Sequence, residues 1–360
     1  MKTQVKKYRD YTDKYEVKFY LVLIYSLGVL SFDNSCFSLF KYQEYKFPYT
    51  YSNIIKYRPK SSTRFRSVDQ ISDFKIGTYN LENFSAQSIT LNKSQIKRKT
   101  QRIMRAISDS NLDVLAMQEV LDPQYLKKVV KGYLGDSYKV LFIENPGVSD
   151  NIAFLVKKDL PLSYDLHSLK DYKFGDRVAF NKDFPVLEIK LNDKPLMFYG
   201  GLHLKSKFGG SVRNNFYGQV RENQVKSILN IKQKIQRNYS DAPFVIGGDF
   251  NSNFLDNPSE FNLLKKFMTD SFDLSAKKVS SRLTNITNYK KKRITGQLDG
   301  ILVSNSSLSK ISVKDTRVYQ YTNDKGYLIK LEDPRSTRDM MPSDHSMVIT
   351  TFDFQALIKR

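Results

Sequence analysis

The sequence has few of the residues that act through sulfur or imidazole groups. Its 360 residues include one cysteine, Cys36, and three histidines, His167, His203 and His345. A single cysteine excludes an intrachain disulfide and any zinc or iron–sulfur site that needs several cysteines. Chemistry that depends on an imidazole must therefore use one of the three histidines.

Acidic residues are too few to balance the basic ones. The chain has 58 Lys and Arg against 37 Asp and Glu, which gives a formal net charge of +21 at pH 7. This excess points to a polyanionic partner: nucleic acid, an anionic membrane surface or a phosphorylated substrate. A high lysine content that only keeps the protein soluble explains the charge equally well. Charge alone therefore leaves the partner open.

Long hydrophobic runs are also scarce. The mean hydropathy of −0.47 excludes a polytopic membrane protein, although 40% hydrophobic residues suffice for a large core. The apolar run at residues 19–32 has 14 residues, fewer than the roughly 20 that span a bilayer. Basic residues precede it and the polar segment DNSC follows, as in a secretory signal. We expect residues 1–36 to be a signal peptide or membrane anchor, and the protein to be exported: secreted, periplasmic or in the cell envelope of a bacterium.

The rest of the chain divides into a short segment and a large domain. Residues 37–70 are rich in Tyr, Lys, Ser and Pro without a clear period, which predicts a linker or a surface arm. Residues 71–360 alternate apolar β-type runs with helical stretches, and helices are predicted over 94–109, with Ser94 as N-cap, and over 220–236. Many strands and few helices predict two packed sheets with helices outside. The strand candidates are FKIGTYN, DVLAMQEV, KVLFIE, NIAFLVKK, FPVLEIKL, PLMFYGGLHL, PFVIGGDF, DGILVS and MVITTFDF.

Clustered polar residues end or begin six of these strands. Each of them alone is explained as a turn or cap residue. Six groups that include two of the three histidines are instead typical of a site built on strand-end loops. The residues are Asn80, Glu82, Gln118, Glu119, His203, Asp249, Asn251, Asp299, Asp344 and His345.

The residue types in these groups suit phosphodiester hydrolysis. Mg²⁺ binds one or two carboxylates together with water and substrate phosphate, and Glu119 is the best single candidate ligand. Asp249 and Asn251 are two positions apart, so on an extended segment both point toward the same phosphate and its attacking water. A histidine oriented by a carboxylate acts as a general acid or base. Together these groups could position water, neutralise phosphoryl charge and assist the leaving oxygen.

The ordered blocks TYNLENF, LAMQEV, GLHLKSK, VIGGDFNS, QLDGILVS and SDHSMV resemble the endonuclease/exonuclease/phosphatase superfamily, the fold of pancreatic-type deoxyribonuclease. The resemblance covers roughly residues 71–356. NLENF, HLKSK, RENQ at residues 221–224 and QLDGILVS look most like secreted bacterial nucleases. The resemblance implies an α/β (α+β) four-layer sandwich, in which two central, mostly antiparallel β-sheets are flanked by helices and carry the site at one edge.

The resemblance also implies roles for the central residues. Glu119 would bind the divalent cation, and Asn80 would contact the phosphate or the metal shell. His203 would be the acid on the leaving-group side. Asp249 and Asn251 would hold the attacking water and the scissile phosphate.

Further roles follow from the same resemblance. Asp299 would orient His345, and Asp344 would support the metal or the histidine pair. Asp150 falls where the family often has an acidic or polar partner for the first histidine. Arg177 would correspond to a phosphate-contacting arginine.

Three basic or imidazole features lie outside these assignments. Lys205 could contact phosphate, although a solvated loop lysine explains it equally well. The run KKKR at residues 290–293 is interpreted as a grip on a nucleic-acid backbone. His167 has no motif around it and is interpreted as a surface or core histidine.

These inferences together predict an exported, divalent-metal-dependent nuclease. It would cut DNA, with RNA as the other nucleic acid considered, endonucleolytically and with little sequence preference. Mg²⁺ is the expected cation, with Ca²⁺ or Mn²⁺ as alternatives, and a monomer without an obligate protein partner is expected. The alternative is a phospholipid phosphodiesterase of the sphingomyelinase kind, or a phosphatase. The basic charge favours nucleic acid, and the absence of tryptophan disfavours the lipid substrate.

Overall fold

The computed structural model describes the chain over residues 54–60, 63–144, 151–206, 216–278, 281–289, 292–323 and 326–359. The predicted signal or anchor, residues 1–36, lies outside these ranges. Within them, no helix combines the length and the apolar character needed to cross a membrane.

The first of two large sheets has seven strands and is mostly antiparallel. Only its two central neighbours, β10 and β11, run parallel. In spatial order the strands are β1 (Ile54–Tyr57), β6 (Leu162–His167), β9 (Val186–Leu191), β10 (Lys194–His203), β11 (Phe244–Asp249), β15 (Asp299–Ser304) and β12 (Met268–Asp270).

The second sheet has six strands, and again only one pair, β2 and β3, is parallel. Its order is β16 (Val313–Val318), β17 (Val348–Asp353), β2 (Asp73–Phe84), β3 (Val114–Val120), β5 (Asn151–Lys157) and β4 (Tyr138–Phe142). Two small hairpins complete the described strands: β7 (Lys173–Phe174) with β8 (Arg177–Val178), and β13 (Asn285–Tyr289) with β14 (Lys292–Gly296).

Helices cover the outer faces of both sheets. The helices of the described residues are α1 (Lys93–Ser110), α2 (Pro123–Leu134), α3 (Phe216–Asn238), α4 (Asn262–Phe267), α5 (Ser271–Leu274) and α6 (Phe354–Ile358). Apolar residues of α1 and α2 pack with the second sheet, and those of α3 and α4 pack with the first. A third apolar cluster fills the space between the sheets. The predicted four-layer sandwich with mostly antiparallel sheets is confirmed, and α3 contains the predicted helix 220–236.

Helix α1 begins one residue earlier than predicted, and its N-cap is Asn92. The Asn92 side chain accepts a hydrogen bond from the N–H of Gln95, and the Gln95 side chain accepts one from the N–H of Asn92. This capping box satisfies two N–H groups that a helix start leaves without an intrahelical partner. Ser94 Oγ only donates to Asn92 Oδ1. The prediction of Ser94 as N-cap was wrong, because Asn92 precedes it and caps equally well.

Strand β6 was not among the predicted strands, because polar residues interrupt its apolar pattern. Tyr164 and Leu166 pack in the core between the sheets. Asp165 and His167 alternate with them and so point to the other face of the sheet. His167 is buried there, with its Nε2 3.0 Å from a carboxylate oxygen of Glu188. His167 is therefore a core histidine with an ionic partner.

Part of the predicted 37–70 arm forms an edge strand. Strand β1 pairs antiparallel with β6. Directly after it, the Arg58 guanidinium lies 2.6 Å from a carboxylate oxygen of Asp165. This contact fastens the described part of the arm to the first sheet.

Close approach of the parallel strands β10 and β11 leaves no room for a side chain at position 248. A Cβ on Gly248 would lie 1.9 Å from the carbonyl oxygen of its neighbour Leu202. Nearby, the Tyr199 hydroxyl donates a hydrogen bond to the carbonyl of Gly77 at 2.8 Å and so links the two sheets. Backbone packing at the edge that carries the site thus requires glycine in the VIGGDF block.

We expect Gly248→Ala to lower the free energy of unfolding by at least about 1–3 kcal/mol, because the strands must separate to admit the methyl group. Gly132→Ala is the matched control. No atom lies within 4 Å of a Cβ at that helical position, so alanine should be neutral or stabilising by about 0.5–1 kcal/mol. Guanidinium unfolding midpoints measure both changes. Equal stability of Gly248→Ala and the wild type would contradict this packing argument.

Candidate active site

Strand register places three predicted residues side by side at one edge of the first sheet. His203, at the end of β10, is opposite Asp249 at the end of β11. Asp249 is opposite Asp299 at the start of β15. In the second sheet, the parallel strands β2 and β3 bring Asn80 next to Gln118. The polar ends of these strands therefore meet at one edge of the sandwich.

The side chain of Asn80 connects the two sheets at this edge. Its Nδ2 donates hydrogen bonds to Glu119 Oε1 at 2.9 Å and to Asp249 Oδ2 at 3.1 Å. Asn251 holds Asp249 from the other side, because its backbone N–H donates to Oδ1 at 2.7 Å and its Nδ2 to Oδ2 at 3.1 Å. The two carboxylates are thus fixed next to each other by amide donors.

We call Asn80, Glu119, His203, Asp249, Asn251, Asp299 and His345 the cluster. Two of its residues have a backbone conformation that L side chains rarely adopt. Glu119 has φ of 56° and Asn251 has φ of 52°. Pairing of β3 with β5 shifts between Met117 and Val120, so a β-bulge redirects the Glu119 side chain. A non-glycine residue in this region costs about 1–3 kcal/mol, and such residues concentrate at functional sites.

His345 is held by Asp299. Its Nδ1 lies 2.7 Å from Asp299 Oδ2, and both side chains are buried. The other ring nitrogen, Nε2, faces Asp249 Oδ2 at 3.8 Å and Asp344 Oδ1 at 3.9 Å. The carboxylate therefore fixes the ring and leaves Nε2 toward the cluster, as predicted for this pair.

The segment that carries His345 is fastened to both neighbouring elements. Ser343 Oγ donates to the carbonyl of Asn80 at 2.7 Å and accepts from the His345 N–H at 3.2 Å. Asn285, at the start of the hairpin β13–β14, donates through its Nδ2 to the carbonyl of Asp344 at 3.0 Å. These bonds hold His345 against the end of β2.

His203 lies on the other side of the carboxylates and has a cationic neighbour. Its Nε2 is 3.6 Å from Asp249 Oδ2 and 3.8 Å from Glu119 Oε1. The ammonium of Lys182 lies 3.1 Å from Nδ1 and 3.2 Å from Nε2 of the same ring. Lys182 was not predicted. The one sequence signal for it is a cation two residues before the strand block FPVLEI.

The pKa values of the two histidines shift in opposite directions. Burial lowers the pKa of His203 well below its usual value, and the positive charge of Lys182 adds to this. Burial alone would lower the pKa of His345 too, but the charges of Asp299 and Asp249 raise it well above its usual value. The surroundings of His203 therefore favour the neutral imidazole, and those of His345 favour the imidazolium. These opposite shifts favour His345 as a proton donor, whereas the resemblance in the sequence assigns the leaving-group acid to His203.

Asp249 is an almost fully buried acidic group at the centre of the cluster. Burial raises the pKa of its carboxyl to about 7, although the nearby His345 opposes the shift. A carboxyl that titrates near neutral pH can both accept and release a proton there.

A second group of charges borders the cluster. The Glu82 carboxylate contacts Lys99 Nζ at 3.0 Å and the guanidinium of Arg338. Burial would raise the pKa of Glu82, but these two cations outweigh burial and lower it. Glu82 thereby connects the end of β2 to α1 and to the segment before His345.

Three predicted residues remain, and two of them make no hydrogen bond or ion pair with the cluster within the described ranges. Asp150 lies outside the described residues. Arg177 lies in the exposed strand β8, and no contact found within the described ranges joins it to the cluster. Lys205 follows His203 by two residues, and its ammonium lies 4.6 Å from the centre of the Tyr217 ring. Their proposed roles stay predictions.

The last residue of the basic run at 290–293 is held by contacts within the protein. Arg293 donates to the carbonyls of Ser336 and Asp333, each at 3.1 Å, and to that of Leu331. It therefore holds the segment before His345. Lys292 is exposed, and residues 290–291 lie outside the described part of the chain.

The donor atoms of the cluster fit a hard divalent cation. Glu119, His203 and Asp249 bring three ligating atoms within 4.8 Å of one another, and so do Asp249, Asp299 and His345. Carboxylate oxygens are the ligands that Mg²⁺ and Ca²⁺ prefer. One oxygen of Asp299, Oδ1, is buried and accepts no hydrogen bond from the described residues. The predicted ligand Glu119 thus belongs to such a group.

Asp344, the other predicted ligand, is in neither of the groups found within the described ranges. It lies beside His345. Burial raises the pKa of its carboxyl. This position suits support of the histidine better than direct binding of the metal.

The chain matches the model of the endonuclease/exonuclease/phosphatase family over residues 77–345, and it belongs to that family. The resemblance recognised in the sequence blocks is confirmed. Members of the family are hydrolases that act on phosphoester bonds and typically depend on a divalent metal. No curated protein sequence matches the chain.

Several solved structures share the fold. TDP2 from C. elegans has a TM-score of 0.55 and 17% identity, with 78% of this chain and 75% of that chain covered. D. rerio TDP2 in complex with a single-strand DNA product has a TM-score of 0.57 and 16% identity, with 79% and 100% covered. The mannosyl-6-phosphatase of Bacteroides thetaiotaomicron has a TM-score of 0.52 and 16% identity, with 78% of this chain and 99% of that chain covered. At these identities the similarity shows the fold alone.

We expect Asp299→Asn to lower the pKa of His345 in metal-free protein, because a neutral amide no longer stabilises the imidazolium. In the wild type, imidazole ¹⁵N NMR at pH 6.5 should show His345 protonated and His203 neutral. The His203 signals should stay neutral in the variant and serve as its control. If both histidines titrate together near 6.5 in the wild type, this charge assignment is incorrect.

Proposed function

We propose that the chain is a divalent-metal-dependent phosphodiesterase that cuts DNA within the strand with little sequence preference. The observation that carries the proposal is the pair of carboxylates, Glu119 and Asp249, fixed by Asn80 between His203 and His345. The net charge of +21 supports a polyanionic substrate. D. rerio TDP2, which shares the fold, was solved with a single-strand DNA product.

Each residue of the cluster has a separate role in the proposed hydrolysis. Glu119 would hold the cation, which when bound stabilises the negative charge that develops on the phosphoryl oxygens. Asp249, with a pKa of about 7, accepts a proton from the attacking water at neutral pH. Asn251 keeps Asp249 in place. His345, as an imidazolium oriented by Asp299, donates a proton to the departing oxygen.

Lys182 contributes a fixed positive charge on the His203 side. It favours the neutral form of the imidazole, which can then donate a hydrogen bond to a phosphoryl oxygen without taking up a proton. A cation within reach of the cluster also attracts the phosphate itself.

A phosphatase is the second candidate, because the mannosyl-6-phosphatase of Bacteroides thetaiotaomicron shares the fold. Incubation of the purified protein with supercoiled plasmid, linear DNA, RNA, mannose 6-phosphate and sphingomyelin, each with and without Mg²⁺, separates the candidates. We expect relaxed circles first, before linear fragments. Release of phosphate from the sugar without DNA cleavage would favour the phosphatase, and lipid turnover alone would favour the phospholipid enzyme.

We expect chelation to abolish cleavage and Glu119→Gln to lose most of it, at least about 10²-fold, because the cation loses its carboxylate. The fold should be retained. Glu144→Gln is the matched control, since this exposed glutamate accepts a hydrogen bond from Gln124 and makes no other contact found among the described residues. Initial rates over a range of Mg²⁺ concentrations measure both variants. Near-native rates of Glu119→Gln at saturating Mg²⁺ would refute the assignment of Glu119.

We also propose that the protein is exported. The support is the apolar run at residues 19–32 with basic residues before it, which lies outside the described residues. Mass spectrometry of protein from the native host tests the idea. A mature N-terminus between residues 33 and 42 is expected for a cleaved signal, whereas a soluble product that retains Met1 would contradict export.

A further inference from the structure

The RENQ block at residues 221–224 lies near the start of α3 and has no role in the chemistry described so far. Two of its side chains are almost fully buried, with 4% of Arg221 and 2% of Gln224 exposed. A buried arginine is costly unless its charge and its donors are satisfied. The groups that Arg221 contacts therefore indicate the role of this buried side chain.

Arg221 contacts two separate parts of the chain. Its Nη1 donates to the carbonyl of Lys205 at 3.0 Å. Its Nε and Nη2 both lie 2.9 Å from Glu260 Oε1. The same Glu260 oxygen accepts a hydrogen bond from Ser252 Oγ at 2.8 Å. One guanidinium thus joins the segment at 205 to the segment at 252.

Each of these segments directly follows a residue of the cluster. Lys205 is two residues after His203, and Ser252 follows Asn251. Gln224 Oε1 accepts the N–H of Lys205 at 3.0 Å, so α3 holds both the N–H and the carbonyl of that residue. The Arg221 network therefore fixes the backbone on both sides of the Asp249 carboxylate.

We propose that Arg221 is a positioning residue that sets the placement of His203 relative to Asn251, through Lys205 on one side and through Glu260 and Ser252 on the other. The inference rests on the proposed function insofar as it concerns the rate of phosphoester hydrolysis. Arg221 itself does not touch the reacting groups.

The chemistry of the guanidinium explains why arginine is needed here. Its planar fork presents several donors at fixed angles and reaches a carbonyl and a carboxylate at the same time. A lysine ammonium has the same charge but carries its donors on one nitrogen atom. It therefore cannot reach the Glu260 carboxylate and the Lys205 carbonyl together in this geometry. Arg221→Lys therefore removes one link and preserves the charge next to Glu260.

The test measures geometry and rate separately on the full-length protein. In Arg221→Lys, backbone amide hydrogen exchange should increase both at residues 204–206 and at residues 251–253. On whichever phosphoester the wild type cleaves, kcat should fall about tenfold to a hundredfold, because a displaced reacting group loses rate steeply. KM should change less than threefold, since the residues proposed to contact the phosphate and the cation are all retained.

Two further variants accompany this one. Glu260→Gln keeps an acceptor for Arg221 and Ser252, so it should give changes of the same kind and smaller size even if Arg221→Lys folds poorly. Glu222→Gln is the matched control on the same helix, because Glu222 makes only an exposed ion pair with Lys226 at 2.8 Å. It should leave exchange and kcat unchanged.

Two results would overturn the proposal. One is a folded Arg221→Lys protein with wild-type kcat. The other is faster exchange confined to α3, with residues 204–206 and 251–253 unchanged. If the wild type cleaves no phosphoester at all, the proposed function fails, while the exchange data still decide whether Arg221 holds these segments.

Discussion

The whole site depends on one side-chain amide that bridges two sheets. Asn80 belongs to the second sheet, and its Nδ2 donates to Glu119 of the same sheet and to Asp249 of the first. The carboxylates of Glu119 and Asp249 repel each other when both are charged. The Asn80 amide nevertheless holds them close, and the repulsion and the burial of Asp249 both cost stability. A cation that binds between them would relieve the repulsion. The cluster is therefore arranged for a ligand that the folded chain alone does not supply.

Charge is distributed around this bridge in an ordered way. Lys182 lies next to His203, and Lys99 and Arg338 lie next to Glu82. Each of these cations is held by contacts within the protein, so its position is fixed before a substrate arrives. Preorganised charges of this kind stabilise charge that develops during a reaction without a further cost of orientation. The same arrangement explains why the pKa values of two histidines in one cluster shift in opposite directions.

Much of the site could be predicted from the sequence because its residues stand at the ends of regular strands. Asn80, His203 and Asp249 follow apolar strand blocks, and Asp299 begins one. The period of a strand and the pairing of neighbours then bring such ends together. The layers of the fold could be predicted for the same reason, since alternating apolar residues assign one face of each strand to the core.

Other features could not be predicted, because they depend on contacts between distant segments. Lys182, in the segment before β9, contacts His203 at the end of β10, and the local sequence does not show this contact. Strand β6 was missed because Asp165 and His167 find ionic partners on neighbouring strands, which a local pattern does not show. The basic run at 290–293 was interpreted as a grip on a nucleic-acid backbone, yet Arg293 donates hydrogen bonds to carbonyls about 40 residues away in the same chain.

The central claim is that Glu119 holds a divalent cation beside Asp249. The most direct measurement is an anomalous difference map from crystals of the protein grown with Mn²⁺. The account predicts a strong peak at coordination distance from the Glu119 carboxylate, and loss of that peak in Glu119→Gln. A peak bound only by Asp299 and His345, or one that persists unchanged without the Glu119 carboxylate, would contradict it.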